Sequence, residues 1–301
     1  MWEILARAGC FVAIILLGIV LRRAGFFKKE DFHLLSNIVL KITLPAAIIS
    51  NFAGRELEYS LLLLILTGLI FGIFLMAVAY VLNRHRPPAE QAFAVLNTSG
   101  VNISNFVLPF VQGFLGPAGV MTVSLFDVGN AFICLGGAYG VADTIQSGKK
   151  HFSLLPVLRS IGKSIPLITY IIMCLLSALQ INLPGPVIDL AGIVGSANAF
   201  LAMLMLGIGF QIKTSRIPEI LRILVPRYLI AIAFAALCYY LLPVPPFYRK
   251  ALIIPFLGPV SSAVPAFTAQ MKGDYELSSA INSFSILISI VLIIGALVVI
   301  L

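Results

Sequence analysis

The sequence predicts an all-α membrane protein of ten transmembrane helices, built as two inverted five-helix repeats in which helices four and nine are broken and cross. Three observations carry this prediction. The 301 residues are 60% hydrophobic and only 11% charged, with a mean hydropathy of +1.07, whereas soluble domains carry roughly 25% charged residues. Ten apolar stretches, each near the length of about 20 residues that spans a bilayer, follow one another through short connections. Two of those stretches are interrupted by helix breakers in corresponding places.

Taken in order, the stretches lie near 3–21, 33–52, 60–82, 89–112, 117–146, 164–181, 186–212, 222–242, 248–271 and 276–300. The longest polar connection, 147–163, acts as a linker between a first repeat, 1–146, and a second, 164–301. An odd number of spans per repeat inserts the second copy upside down. A shift of 158 residues superposes Pro87-Pro88 on Pro245-Pro246, Gly100 on Gly258, Ser104 on Ser262 and Gln112 on Gln270. These matches mark the start, the break and the end of one helix in each repeat.

The net charge of +8 is distributed by side. Connections one, three, five, seven and nine, with their flanks, hold fifteen Lys and Arg, among them Arg22, Arg84, Lys149, Lys163, Arg216 and Arg227; the opposite side holds Arg7, Arg55, Arg249 and Lys250. That bias is the positive-inside pattern. It predicts a multi-pass protein of a cell (inner or plasma) membrane with both termini extracytoplasmic, and it gives no support to a nucleic-acid partner. The four cysteines fall in apolar stretches without a CxxC spacing, so neither a disulfide framework nor a metal site is expected. No cleaved signal peptide is expected either, because the N-terminus lacks a cationic leader. His33, His85 and His151 fall at predicted cytoplasmic edges. No P-loop, nucleophile elbow or metal-ligand cluster stands in the chain, and no enzyme activity, resident cofactor or metal is expected.

The first break reads Asn97-Thr98-Ser99-Gly100-Val101-Asn102-Ile103-Ser104-Asn105, with Pro109 beyond it; the second contains Gly258-Pro259-Val260-Ser261-Ser262 and Pro265. Gly100, Pro109, Pro259 and Pro265 are the expected breakers. Unwound backbone at membrane depth is tolerated only where protein buries it or where it lines a cavity. Paired breaks in two halves point to the binding site of a secondary transporter. Half-helix N-termini carry about half a positive charge and free N–H groups, which suits an anion. Asn97, Asn102 and Asn105, with Ser261 and Ser262, supply neutral donors and acceptors for a carboxylate.

Asp127 lies some ten residues into the fifth span, and a carboxylate there is costly unless paired, hydrated or protonated. With Asn130 on the same helix face, it is a candidate proton or ion-coupling pair; alternatively, Asp127 caps N–H groups of the broken fourth helix. Lys41, midway through the second span, either attracts an anionic substrate, pairs with Asp127 or snorkels towards an interface. Asn198, in Gly195-Ser196-Ala197-Asn198, faces the site or glues helices together. Asp189, near the start of its span, reads more simply as an interfacial cap.

The stretch Gly18-Ile19-Val20-Leu21-Arg22-Arg23-Ala24-Gly25, continued through Leu35-Ser36 to Thr43-Leu44-Pro45-Ala46, resembles the auxin efflux carrier family. So do Asn102, Asn105, Leu108-Pro109, Phe114-Leu115-Gly116 and Phe126-Asp127-Val128-Gly129-Asn130, and, in a third block, Pro259 with Ser261 and Ser262. The resemblance implies a bile-acid-symporter-like fold of ten helices with crossed helices four and nine. It also implies a homodimer with a scaffold of helices 1, 2, 6 and 7, and an elevator-type cycle for the remainder. Its bacterial branch includes carriers of malonate, malate and similar acids. Family members often carry Asn where this chain has Lys41, and the added cation favours a dianion. The resulting expectation is a secondary transporter for small organic anions, mono- or dicarboxylates, coupled to H+ or Na+ or running as a uniport. A channel, a non-transporting receptor or sensor, and a lipid-acting membrane enzyme are the rivals.

Overall fold

Apolar runs satisfy their own backbone polar groups by coiling into helices where no water is available. The computed structural model of the chain describes residues 2–28, 30–55, 59–148, 154–210 and 216–301, and among them every regular element is helical. Lys29, Lys149, Lys150, His151 and Lys213, which entered the charge pattern or the edge assignment, lie outside the described residues. Seven helices are long and apolar enough to cross a membrane: Leu5–Arg23, Asp31–Phe52, Ser60–Leu82, Gly116–Ser147, Gly185–Gly209, Ile217–Leu241 and Tyr275–Ile300. An eighth candidate is the pair Leu155–Ile161 and Ile165–Ala178, bent through 72°. The first helix of that pair occupies much of the stretch expected to be a plain linker. Its Pro156 and the Pro166 of its neighbour both sit in first turns, where a missing N–H costs nothing.

The elements are α1 (Trp2–Arg23), α2 (Asp31–Ile38), α3 (Leu44–Phe52), α4 (Leu63–Leu82), α5 (Pro88–Thr98), α6 (Leu108–Phe114), α7 (Gly116–Phe132), α8 (Ala138–Ser147), α9 (Leu155–Ile161) and α10 (Ile165–Ala178). They continue as α11 (Gly185–Ser196), α12 (Asn198–Gly209), α13 (Ile217–Leu241), α14 (Pro246–Ala251), α15 (Ile253–Phe256), α16 (Val264–Gln270) and α17 (Tyr275–Ile300). The expected spans 89–112 and 248–271 are therefore each divided into short helices.

Widened turns join several of these pieces. One, Val39–Thr43, links α2 to α3, and another, Ile103–Val107, leads into α6. Both are followed by Leu-Pro, at Leu44-Pro45 and Leu108-Pro109. Proline has no N–H, so the carbonyls of Lys41 and Asn105, four residues earlier, lose their helical donor. The π turns absorb that loss, and such bulges concentrate at functional positions.

Several helix pairs lock together through glycine, two of them through a glycine on each helix. Between α1 and α12, a Cβ on Gly18 would overlap the Leu204 carbonyl and one on Gly207 the Ile15 carbonyl. Between α4 and α7, the same holds for Gly68 with Phe126 and Gly129 with Ile65. Small residues bring membrane helices to backbone contact. Near the second break, Phe71, Phe126 and Phe256 pack edge to face or tilted, with ring centroids 4.9 Å apart for Phe71–Phe256 and 5.4 Å for Phe126–Phe256.

Side-chain bonds tie distant chain turns together. Arg7 donates to Gly113 O, and Ser177 to Arg55 O. Gln146 donates to Met271 O, and Arg216 pairs with Asp274, three residues after Met271, so these turns lie together at one end.

Candidate functional site

Two unwound segments meet inside the bundle. The first runs from Ser99 to Asn102, between α5 and the π turn at Ile103; the second runs from Leu257 to Ala263, between α15 and α16. Val101 and Val260 form an isolated antiparallel bridge, and Asn102 N donates to Pro259 O at 2.9 Å. Gly100 turns the chain with φ +75°, and Gly258 has no room for a Cβ, which would strike Val101 Cγ1 and Val107 Cγ2. The breakers thus allow two backbones to touch where side chains would hold them apart.

Buried main-chain groups need partners, and here neighbouring helices supply them. Asn130, on α7, treats Val101 as a strand would: its Oδ1 accepts from Val101 N and its Nδ2 donates to Val101 O, both at 2.9 Å. On α17, Ser285 Oγ accepts from Val260 N at 3.0 Å, while Asn282 Nδ2 donates to Val260 O at 2.8 Å and Ser289 Oγ to Leu257 O at 2.6 Å. Arg227, on α13, is 1% exposed and donates to the carbonyls of Thr98, Gly258 (3.2 Å) and Pro259 (3.4 Å).

A cavity of about 440 Å³ opens beside this crossover. Asn102, Asn105, Ser261, Ser262, Asp127 and Asn130 line it, together with Lys41, Tyr170 and Lys163, the last from the corner between α9 and α10. Asp127 is 7% exposed; its carboxylate accepts from Ser104 Oγ at 2.8 Å and from Asn130 Nδ2 at 2.9 Å. Asn105 Nδ2 donates to Ser262 Oγ at 3.3 Å. Three buried polar atoms of this lining make no hydrogen bond: Asn102 Nδ2, Asn105 Oδ1 and the Tyr170 hydroxyl. Ser104, Ser124 and Asp127 stand near that hydroxyl without hydrogen-bond geometry. Buried polar groups are ordinarily satisfied, so these atoms are available to a ligand. The lining sets two lysine residues beside a free amide donor and a free hydroxyl, a set that suits an anion.

The structure redistributes several expected roles. Asn97 does not reach the cavity: it donates to Thr268 Oγ1 at 3.3 Å and accepts from Ser278 Oγ at 2.5 Å, tying α5 to α16 and α17. Helix α5 still runs through Thr98, which turns Asn97 into the bundle. Asn198 is fully buried and accepts from Thr43 Oγ1 at 3.1 Å, joining α12 to the π turn that carries Lys41. Among the described residues Asp127 caps no backbone N–H; Asn130 does that, and Asp127 orients it. Among the described residues no ion pair joins Lys41 to Asp127. Pro109 is buried within α6, and Pro265, with Ser262, lines a second cavity of about 310 Å³ that Glu30 and His33 also line. No family model matches the chain, and no curated protein matches it.

Arg227, Tyr170, Lys163 and the α17 polar groups were not anticipated. Arg227 was counted as a cytoplasmic flank, but α13 begins at Ile217 and places it eleventh in the helix. The α17 groups do leave a trace: Ser278, Asn282, Ser285 and Ser289 recur at helical spacing and form one polar stripe on an apolar helix.

Proposed function

We propose that this protein is a secondary transporter of small organic anions, mono- or dicarboxylates, and a member of the auxin efflux carrier family. The observation that carries the reading is the contact of two unwound segments beside a cavity whose free donors, Asn102 Nδ2 and the Tyr170 hydroxyl, and lining lysines favour negative charge. In this reading the fold is ten spans in two inverted repeats, the three broken or bent candidates completing the seven continuous ones. The protein would work as a homodimer with an elevator-type cycle. It would sit in the cell membrane with both termini outside, and the end carrying Gln146, Arg216 and Asp274 in the cytoplasm. In this reading the cavity opens inward, because its lining reaches Ser160 and Lys163 at the α9–α10 corner, which the reading puts on that side.

Lys41 and Lys163 favour a dianion over a monoanion of the same size. Asp127 is assigned to H+ coupling: its carboxylate lies at membrane depth, faces the cavity and has neutral partners only. Uptake of ¹⁴C-malate and ¹⁴C-malonate into proteoliposomes tests the function. Saturable uptake that follows a proton gradient or the membrane potential supports it, and no flux of any carboxylate under any gradient refutes it. Carboxylate binding without flux would favour a receptor, and single-channel currents a channel. Asp127→Asn keeps both hydrogen-bonding positions occupied and should abolish the pH dependence of uptake; unchanged pH dependence would confine Asp127 to orienting Asn130.

A further inference from the structure

Arg227 is a permanent cation buried among main-chain oxygens. It is 1% exposed, sits inside a predicted span, and among the described residues forms no ion pair. Its three acceptors come from both breaks: Thr98 is the last residue of α5, and Gly258 and Pro259 follow α15. Helix C-termini present unpaired carbonyls and about half a negative charge. In transporters with discontinuous helices, such carbonyls and C-terminal ends are where coupling cations are held. A guanidinium suits this place because its planar fork reaches several acceptors and it is more weakly hydrated than an ammonium.

We propose that the Arg227 guanidinium is a built-in cation filling the place, at the convergent carbonyl ends of α5 and α15, that a dissociable monovalent cation would otherwise occupy. Anion binding at the crossover then needs no co-bound Na+ or K+. The inference deepens the anion-transporter reading and rests on it. Arg227 does not line the cavity; it acts through the backbone it holds and through its field, as a positioning residue. The carbonyls it holds at Thr98 and Pro259 lie three residues before Val101 and two before Ser261, which do line the cavity, so the charge lies close behind the binding wall.

The test uses the purified full-length protein and measures malate and malonate binding by calorimetry in sodium, potassium and N-methylglucamine buffers. The expected result is an affinity equal within about twofold in all three. Tightening by Na+ or K+ of roughly fivefold or more, the lower edge of ordinary coupling between sites, overturns the proposal. Absence of carboxylate binding in every buffer would overturn the transporter reading itself, which separates the two failures. Arg227→Ala removes the resident charge and leaves its carbonyls open. Binding by this variant should weaken by about tenfold or more in N-methylglucamine and recover when Na+ or millimolar guanidinium is added, a rescue that a merely structural role would not produce. Undiminished binding, or loss that neither cation restores, counts against the proposal. Should the variant fail to fold, the wild-type comparison decides alone.

Discussion

Asn130 shows how one side chain can replace a strand partner. Both of its amide atoms are spent on Val101, and its Nδ2 also donates to Asp127 Oδ1. Replacing it by Leu keeps the volume but strands the Val101 N–H and C=O in a buried place. An unsatisfied buried group costs about 1–3 kcal/mol, so Asn130→Leu should destabilise by roughly 2–4 kcal/mol, measured by thermal unfolding in detergent; a change near zero would mean that the break does not need this amide. The residue types at the crossover were legible because Asn, Ser, Gly and Pro at membrane depth are conspicuous. Their individual duties were not. Asn97 and Asn102 read alike in the sequence, and only the end of α5 at Thr98 separates a buried strut from a wall residue. Arg227 was misplaced because hydropathy registers depth coarsely: moving the helix start from 222 to 217 carries an apparent flanking cation into the interior.

At the scale of elements, positions were read better than shapes. Interruptions near Gly100 and Pro259 were expected, and the helices are interrupted there, at 99–102 and 257–263. The helix within 147–163 was missed because seven residues carry too little periodicity to register. Helix α17 begins at a cap that can be tested. Asp274 Oδ1 accepts from Leu277 N at 2.9 Å, and its other oxygen pairs with Arg216. Partial burial pushes the Asp274 carboxyl upward, but the Leu277 N–H and the Arg216 guanidinium outweigh it and hold it below the usual carboxylate range. A depressed native value means that this stabilisation is present above the unfolded value near 4 and is lost as pH falls through the native one. Asp274→Ala should cost about 1 kcal/mol at neutral pH, the usual worth of an N-cap. The gap between the two melting curves should close at acid pH; a gap that persists there would trace to something other than the carboxylate.

Across the whole molecule, composition announced the membrane class, while the cavity needed three dimensions. Its wall draws on residues as distant in sequence as Lys41, Asp127, Lys163 and Ser262. Cys134 gives a probe of that space: of the four cysteines it alone lines the cavity among the described residues. In a variant with Cys10, Cys174 and Cys238 replaced by Ala, a bound carboxylate should slow maleimide labelling of Cys134. By mass action the slowing is about tenfold at ten times the dissociation constant. Labelling indifferent to saturating ligand would place the anion elsewhere.

The glycine contacts have a mechanical consequence. Where α1 meets α12 at Gly18 and Gly207, and where α4 meets α7 at Gly68 and Gly129, backbone lies on backbone with no side chain between to slide upon. Each couple is therefore a stiff strut. Packed interfaces switch between discrete arrangements rather than deforming smoothly, so any change of shape must carry these struts whole and be taken up at seams of larger residues. The seam between α10 and α7, where the Tyr170 hydroxyl stands near Ser124, is one that borders the cavity.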